Sequence, residues 1–237
     1  TELAATILEE GRNSPADIFF AQDAGALGAL AYANRLTKLP QDIIEAVDPR
    51  LRSADHYWVG TSGRARVIVY NTNKYSEDEL PTSIWDFTKP EWRGRIGWAP
   101  TNGSFQAFVT ALRHLEGDAR AEQWLRGIRA NQPRTYHNNT AIYDAVARGE
   151  IDVGFTNHYY LFRFLAEQGE AFPARIYFTK GDAGSMMNIA GVGILDTSKN
   201  REAAEKFARF LLSDSAQKHF VNANYESPVV EHLAPHD

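Results

Sequence analysis

The chain reads as an α/β protein with largely parallel sheets. Three observations predict this. Short apolar runs without alternation, Ile18-Phe19-Phe20-Ala21 and Val67-Ile68-Val69-Tyr70, have the pattern of strands buried on both faces. Segments with helical periodicity alternate with such runs along the chain, as in βα units. The 237 residues carry no repeat or low-complexity tract, and 43% of them are hydrophobic, enough for one large domain or two smaller lobes with real cores.

Taken in order, Leu3, Ala4, Ile7 and Leu8 predict a helix from Thr1 that ends on Gly11 as its C-cap. Ser14-Pro15-Ala16-Asp17 is a turn, and Ile18–Ala21 is a strand. Asp23 then caps a small-residue helix over Ala24–Ala33. Gln41–Val47 reads as a short helix. Tyr57–Gly60 and Ala65–Tyr70 read as two strands around a turn at Ser62-Gly63. Ile84–Phe87 and Pro90–Gly94 are helical turns that lead into a strand over Arg95–Ala99. A strongly periodic helix over Phe105–Leu115 places Phe105, Phe108, Val109 and Leu112 on one stripe, and a second helix covers Ala119–Ala130. Thr135-Tyr136 is strand-like, Ala141–Ala147 is helical up to Gly149, and Ile151–Phe155 is a strand leading to a helix over Tyr160–Glu167. Ile176–Phe178 and Ile189–Leu195 are strands. Amphipathic helices over Arg201–Leu212 and Ser215–Val221 come near the end.

Composition narrows the function. The formal net charge is −5, and the Lys and Arg residues are scattered rather than gathered into a stripe, so a nucleic-acid partner is not expected. The absence of cysteine excludes disulfides, Fe–S clusters, thiolate zinc and a Cys nucleophile in this chain. The mildest apolar stretch, Ala24–Ala33, is far too short to span a bilayer, so no membrane insertion is expected, and any export signal is expected to lie outside these residues.

Three predicted helix starts share a pattern in which an extended segment meets small polar residues and then an apolar helix. They are Thr101-Asn102-Gly103-Ser104, Asn138-Asn139-Thr140 and Thr156-Asn157-His158. Helix N-termini present unsatisfied N–H groups and the positive end of the dipole, so several meeting at one sheet edge would hold an anion. Each one alone is also an ordinary N-cap. After the third come the adjacent phenols Tyr159 and Tyr160. Read in isolation, this pair is an aromatic helix start; read with the polar starts, it offers hard oxygen donors suited to a small, highly charged cation such as ferric iron. Free phenol ionises near pH 10, so a strong Lewis acid or a nearby positive charge is needed to make a phenolate at neutrality. Arg64 and Arg66 could supply that charge or clamp the anion, and they read equally well as surface arginines.

Several segments together carry a family resemblance: Ser14–Phe20, Ser62–Val67, Trp92–Gly97, Pro100–Phe105, Gly149–Gly154 and Asn157–Tyr160. In this order they resemble the bacterial periplasmic ferric-ion-binding proteins, the substrate-binding components of iron(III) ABC importers, from about Thr1 to Val230. The resemblance implies an α/β, two-lobed, type II periplasmic-binding-protein-like fold with mainly parallel sheets and a ligand cleft between the lobes. Residues 1–66 with 191–237 would form the first lobe, incomplete at its N-terminus. Residues 67–190 would form the second, carrying the tyrosine pair and the anion-binding helix starts.

It further implies Fe3+ held by Tyr159 and Tyr160 with a synergistic phosphate or carbonate. The anion contacts map onto Asn102, Gly103, Ser104, Asn139 and Asn157, and Gln22, Arg64 and Arg66 are candidates to line the cleft behind the ligands. An ABC-transporter permease is the implied partner, and the location is periplasmic or extracellular at the membrane. This sequence departs from the family in three places. A carboxylate used by some members falls on Gln22, an additional tyrosine used by others falls on Phe105, and the first strand, which supplies a His in many members, is missing. A monomer is expected, with association through the sheet edge that the missing strand would cover.

Two other readings stand beside this one. The same fold could hold a small organic anion, a phosphonate or a thiamine-like ligand without metal. An enzyme is the weakest reading, because no Gly-x-Ser-x-Gly elbow, His-Glu-x-x-His pair, P-loop or complete Gly-x-Gly-x-x-Gly pattern occurs.

Overall fold

The computed structural model describes residues 2–234. Thr1, where the first helix was expected to begin, lies outside the described residues. The chain divides into two compact units, Thr1–Arg64 with Asn188–Asp237, and Ala65–Met187. These divisions fall two and three residues before the positions expected from the sequence.

The first unit opens with α1 (Glu2–Glu10), β1 (Ile18–Ala21), α2 (Ala24–Tyr32), β2 (Leu36–Thr37) and α3 (Gln41–Glu45). Asp23 caps α2, accepting from the Ala26 N–H at 3.0 Å. The long strand β3 (Trp58–Asn71) carries the chain into the second unit. There follow β4 (Ile96–Trp98), α4 (Gly103–Glu116), α5 (Asp118–Ala130), β5 (Arg134–Thr135), α6 (Asn139–Ala147), β6 (Val153–Asn157), α7 (Tyr159–Gln168) and β7 (Ala174–Tyr177). The return strand β8 (Met187–Leu195) leads back to the first unit, which closes with α8 (Arg201–Leu211) and α9 (Asp214–Asn224).

The sheets are mixed, which corrects the expectation of mainly parallel strands. In the first unit, β1 and β2 pair antiparallel with β8, with Ile18 opposite Ile194 and Leu36 opposite Leu195. In the second, β6 and β7 pair antiparallel with β3, and only β4 runs parallel to its neighbours β5 and β6. Unbroken apolar runs such as Val67–Tyr70 report that both faces of a strand are covered, and cover comes from flanking helices whatever the direction of the next strand.

The two strands expected around Ser62-Gly63 are one continuous strand. Gly63 stays extended because its N–H donates to Ser227 O at 2.7 Å and its carbonyl accepts from Ser227 N at 2.8 Å. The Ser62 hydroxyl donates to Glu226. A segment that looked like a turn is therefore paired through both polar groups of Gly63 with one partner, Ser227.

Each unit builds its own core. In the first, Leu27, Leu30 and Leu195 form one cluster and Ile43, Ile44 and Val192 lie in another. In the second, Trp124 sits fully buried among Phe105, Phe108 and Phe155, with its indole N–H donating to Ile84 O at 3.0 Å. A buried Trp with a partnered N–H contributes a large apolar area without leaving a polar group unsatisfied. A separate cluster of Ile142, Tyr143, Leu161 and Phe164 lies under α6 and α7. No helix among the described residues is long and apolar enough to cross a membrane.

Candidate functional site

Gly154 sets α6 against the sheet, and Gly97 beside it makes room for Ile151. Gly97 of β4 stands opposite Gly154 of β6. A Cβ on Gly154 would lie 2.2 Å from Ile142 Cγ2, and one on Gly97 would lie 2.3 Å from Ile151 Cδ1. Only glycine allows Ile142 to descend this far, and Asn139 sits one turn earlier on the same helix. Asn138 caps α6, accepting from the Ala141 N–H at 2.9 Å. The Asn139 side chain is thereby left for another use.

Asn102 performs the same local task for α4. Its Oδ1 accepts from the Ser104 N–H at 3.0 Å and from the Ser104 hydroxyl at 2.6 Å. Gly103, at the first helical position, is exposed, and a Cβ there would meet nothing within 4 Å. The helix therefore opens with a residue whose backbone no side chain of its own covers, while the N–H groups of Ser104, Phe105 and Gln106 are met by Asn102.

These helix starts are joined through one buried cation. The Ser104 hydroxyl oxygen accepts from Asn139 Nδ2 at 3.2 Å and from Arg66 Nη1 at 3.3 Å. Arg66 Nη1 also donates to Asn157 Oδ1 at 2.9 Å, and Asn157 is the last residue of β6, just ahead of α7. Asn102, Ser104, Asn139, Arg66 and Asn157 thus form one connected network. The structure brings together the three helix starts that the sequence could only list separately.

Arg66 is buried, and among the described residues no carboxylate comes within 4.0 Å of it to form an ion pair. Burial pulls its guanidinium down to about 10, while the phenols of Tyr143, Tyr159 and Tyr160 push it back up. It remains a cation at neutral pH. Its planar group lies over the rings of Phe108 and Phe105, at 5.6 and 6.0 Å from their centroids. Arg66 Nη2 and Asn139 Oδ1 are buried polar atoms without a hydrogen-bond partner. Leaving such groups unpaired costs about 1–3 kcal/mol each, so the network has a spare donor and a spare acceptor for a visiting group.

The phenols stand beside this network. Tyr159 and Tyr160 open α7 with their rings stacked, centroids 4.3 Å apart and planes at 29°. The Arg163 guanidinium lies over both rings, at 5.1 Å from one centroid and 5.7 Å from the other. Tyr143 packs against Tyr160 at 6.1 Å and donates its hydroxyl to the Asn157 carbonyl at 3.1 Å. Burial pushes the Tyr143 phenol well above its ordinary range, so it serves as a neutral donor.

Of the sequence candidates, Asn102, Gly103, Ser104, Asn139, Asn157, Arg66, Tyr159 and Tyr160 all fall in the second unit. Gln22, exposed just after β1, and Arg64, buried in β3, belong to the first, and the hydrogen bonds joining the network involve neither. Phe105, where some family members have a tyrosine, is buried beneath Arg66 and edge-on to Trp98. Sequence reasoning missed Tyr143 and Arg163. The signal for each was helical spacing, since Tyr143 follows Asn139 by four residues and Arg163 follows Tyr159 by four.

Comparison with known proteins bears on the family and the fold. Over 236 residues, the chain is 37% identical to the major ferric iron-binding protein of Neisseria meningitidis, covering 98% of this chain and 71% of that protein. The crystal structure of iron-bound HitA from Pseudomonas aeruginosa superposes with a TM-score of 0.90 at 34% identity, covering 99% of this chain and 76% of that one. Trichodesmium IdiA (FutA), solved with iron and citrate ligands, gives 0.88 at 35% identity, covering 100% and 77%. Residues 13–237 match the family described as bacterial extracellular solute-binding protein, and the chain belongs to that family.

Proposed function

We propose that this solute-binding protein, a carrier and not an enzyme, captures ferric iron with a small oxyanion in the bacterial periplasm and passes it to an ABC-transporter permease. The observation that carries the reading is the adjacency of two unlike half-sites within one unit. Tyr159 and Tyr160 are the metal half, because paired phenolates are hard donors suited to Fe3+. Asn102, Gly103, Ser104, Asn139 and Asn157, gathered around the Arg66 cation, are the anion half. The named relatives bind ferric iron, and the solved neighbours hold iron in one case and iron with citrate in another, which supports the same cargo here.

The chemistry is self-consistent. Two phenolates leave Fe3+ with one positive charge and open positions. An oxyanion bridging from Arg66 to the metal would fill those positions and meet the spare Nη2 donor. The spare Asn139 Oδ1 needs a donor in return, and an oxyanion that still carries a proton provides one. Hydrogen phosphate and bicarbonate fit that demand better than sulfate, which at neutral pH presents only acceptors.

Metal analysis of the purified protein and a thermal-shift panel test the reading. Ferric iron with phosphate or bicarbonate should raise the melting temperature more than any component alone, and ferric iron with sulfate should raise it less. If a small organic anion raises it fully without metal, the cargo is that anion and the tyrosines are packing groups.

A further inference from the structure

The β3–β6 ladder runs from Tyr70 opposite Val153 to Arg66 opposite Asn157. The next pair in register is Ala65 opposite His158. In an antiparallel pair of this kind, two residues exchange both N–H···O bonds. One of them is made: the His158 N–H donates to Ala65 O at 3.1 Å. The other cannot be, because His158 is already helical (φ −61°, ψ −43°) and its carbonyl has turned to accept from Leu161 N at 3.1 Å. The Ala65 N–H would be a buried donor without its ladder acceptor. His158 Nδ1 supplies that acceptor instead, at 3.1 Å. The ring is buried and stands edge-on to Tyr159, with centroids 5.9 Å apart.

We infer that His158 is a positioning residue for the tyrosine pair: its ring nitrogen completes the last β3–β6 rung after the backbone has left it, which fixes where α7 begins and holds Tyr159 and Tyr160 beside Arg66. The residue does two jobs that conflict for a backbone alone. The strand rung needs an acceptor at position 158, and the helix needs the same carbonyl for Leu161. A side-chain acceptor three bonds from Cα resolves the conflict. Asparagine Oδ1 stands the same number of bonds from Cα as histidine Nδ1, leucine fills similar space with no acceptor, and glutamine carries its acceptor one bond too far. The effect on metal binding rests on the ferric reading above, whereas the effect on the rung does not.

The test compares wild type, His158→Asn, His158→Gln and His158→Leu, with Ile128→Val as a core substitution outside the polar network. The metal-free readout is amide exchange at Ala65. The metal readout is ferric affinity and the phenolate-to-iron absorption band in phosphate. In His158→Leu, Ala65 should exchange about tenfold faster, and ferric affinity should fall about tenfold with a shifted band, the weight of one buried hydrogen-bond partner. His158→Asn should keep both within about threefold of wild type, and His158→Gln should fall between. Ile128→Val should leave the band and the affinity unchanged whatever its loss of stability. Equal Ala65 exchange in the Asn, Gln and Leu variants overturns the inference, as does wild-type affinity in a His158→Leu protein whose Ala65 exchanges freely. If His158→Leu does not fold, the Asn and Gln pair decides: indistinguishable behaviour rejects the role. If wild type shows no iron band, the ferric reading has failed, and Ala65 exchange alone still decides the positioning claim.

Discussion

Arg35 in the first unit and Arg66 in the second are both buried, yet they are treated in opposite ways. Arg35 Nε donates to Asp196 at 2.8 Å and Nη1 to Ile7 O at 3.0 Å, so its charge is met by a resident carboxylate. Arg66 is met by a hydroxyl and an amide oxygen, both neutral; Nη2 is unpartnered in both arginines, so the contrast lies in the carboxylate. A buried charge paired internally is part of the fold, whereas one paired only with neutral groups carries an electrostatic debt that a visiting anion can settle. The formal charge is also unevenly divided. The entire formal charge of −5 lies in Thr1–Arg64 with Asn188–Asp237, and Ala65–Met187 is balanced at zero. What separates the two arginines is the resident carboxylate, because buried polar atoms without a partner occur in both units.

The comparison can be broken most severely at the phenols. Tyr159→Phe or Tyr160→Phe should lower ferric affinity by more than about a hundredfold, beyond the range usual for groups that only support a ligand, with little change in the apo melting temperature. Competition with a ferric chelator measures it.

Next comes Arg66→Met. Phosphate at a hundred times its dissociation constant should stabilise wild type by about 2.7 kcal/mol, or roughly 5–10 °C for a protein of this size, and the variant should lose that shift. Because burial pulls the folded Arg66 down to about 10, well below its ordinary range, its charge costs stability at neutral pH. That cost fades as pH rises above about 10, so in that range the apo protein should lose less stability than Arg66→Met does. Paired melting curves at neutral and alkaline pH check the sign.

Gly154→Ala drives a methyl group into Ile142 and should cost about 1–3 kcal/mol, while weakening the phosphate shift by lifting α6 and Asn139 from the sheet. Urea denaturation reads the first effect and the melting shift reads the second.

The smallest effect belongs to Asp17, in the first unit. It is held at about 2, below the ordinary 3.8, by the side chains of Asn200 and Ser198 and by the backbone N–H groups of Asn200 and Lys199. Its folded pKa lies below the unfolded one, so its contribution is present above pH 3.8 and is lost as pH falls from there through about 2. Asp17→Ala should lower the neutral-pH melting temperature slightly, flatten the acid decline and leave iron and anion binding untouched. Any loss of binding would blur the division between the units.

Much of this was legible in the sequence, for identifiable reasons. The helix starts at Thr101–Ser104, Asn138–Thr140 and Thr156–His158 were visible because cap residues and apolar stripes are local signals. The donors of the candidate site could likewise be named one by one. Strand direction was not legible, because a run such as Val67–Tyr70 records burial and not the orientation of its neighbour. The convergence of the helix starts on Arg66 was not legible either, since it depends on Gly154 admitting Ile142 of α6 to the sheet and on bonds from Arg66 to Ser104 and Asn157, residues far apart in the chain. Gly63 misled because glycine beside serine is a common turn signal. Here it marks a strand residue paired with Ser227, and nothing near it in sequence announces that partner.

The central claim is that Tyr159 and Tyr160 coordinate ferric iron while the Arg66 network holds the anion. The most direct measurement is the visible absorption spectrum during ferric titration in phosphate. The account predicts a phenolate-to-iron charge-transfer band in wild type that saturates at one iron per chain, is lost in Tyr159→Phe and Tyr160→Phe, and weakens when phosphate is removed. A wild-type titration without such a band, or a band unchanged in either variant, would contradict it.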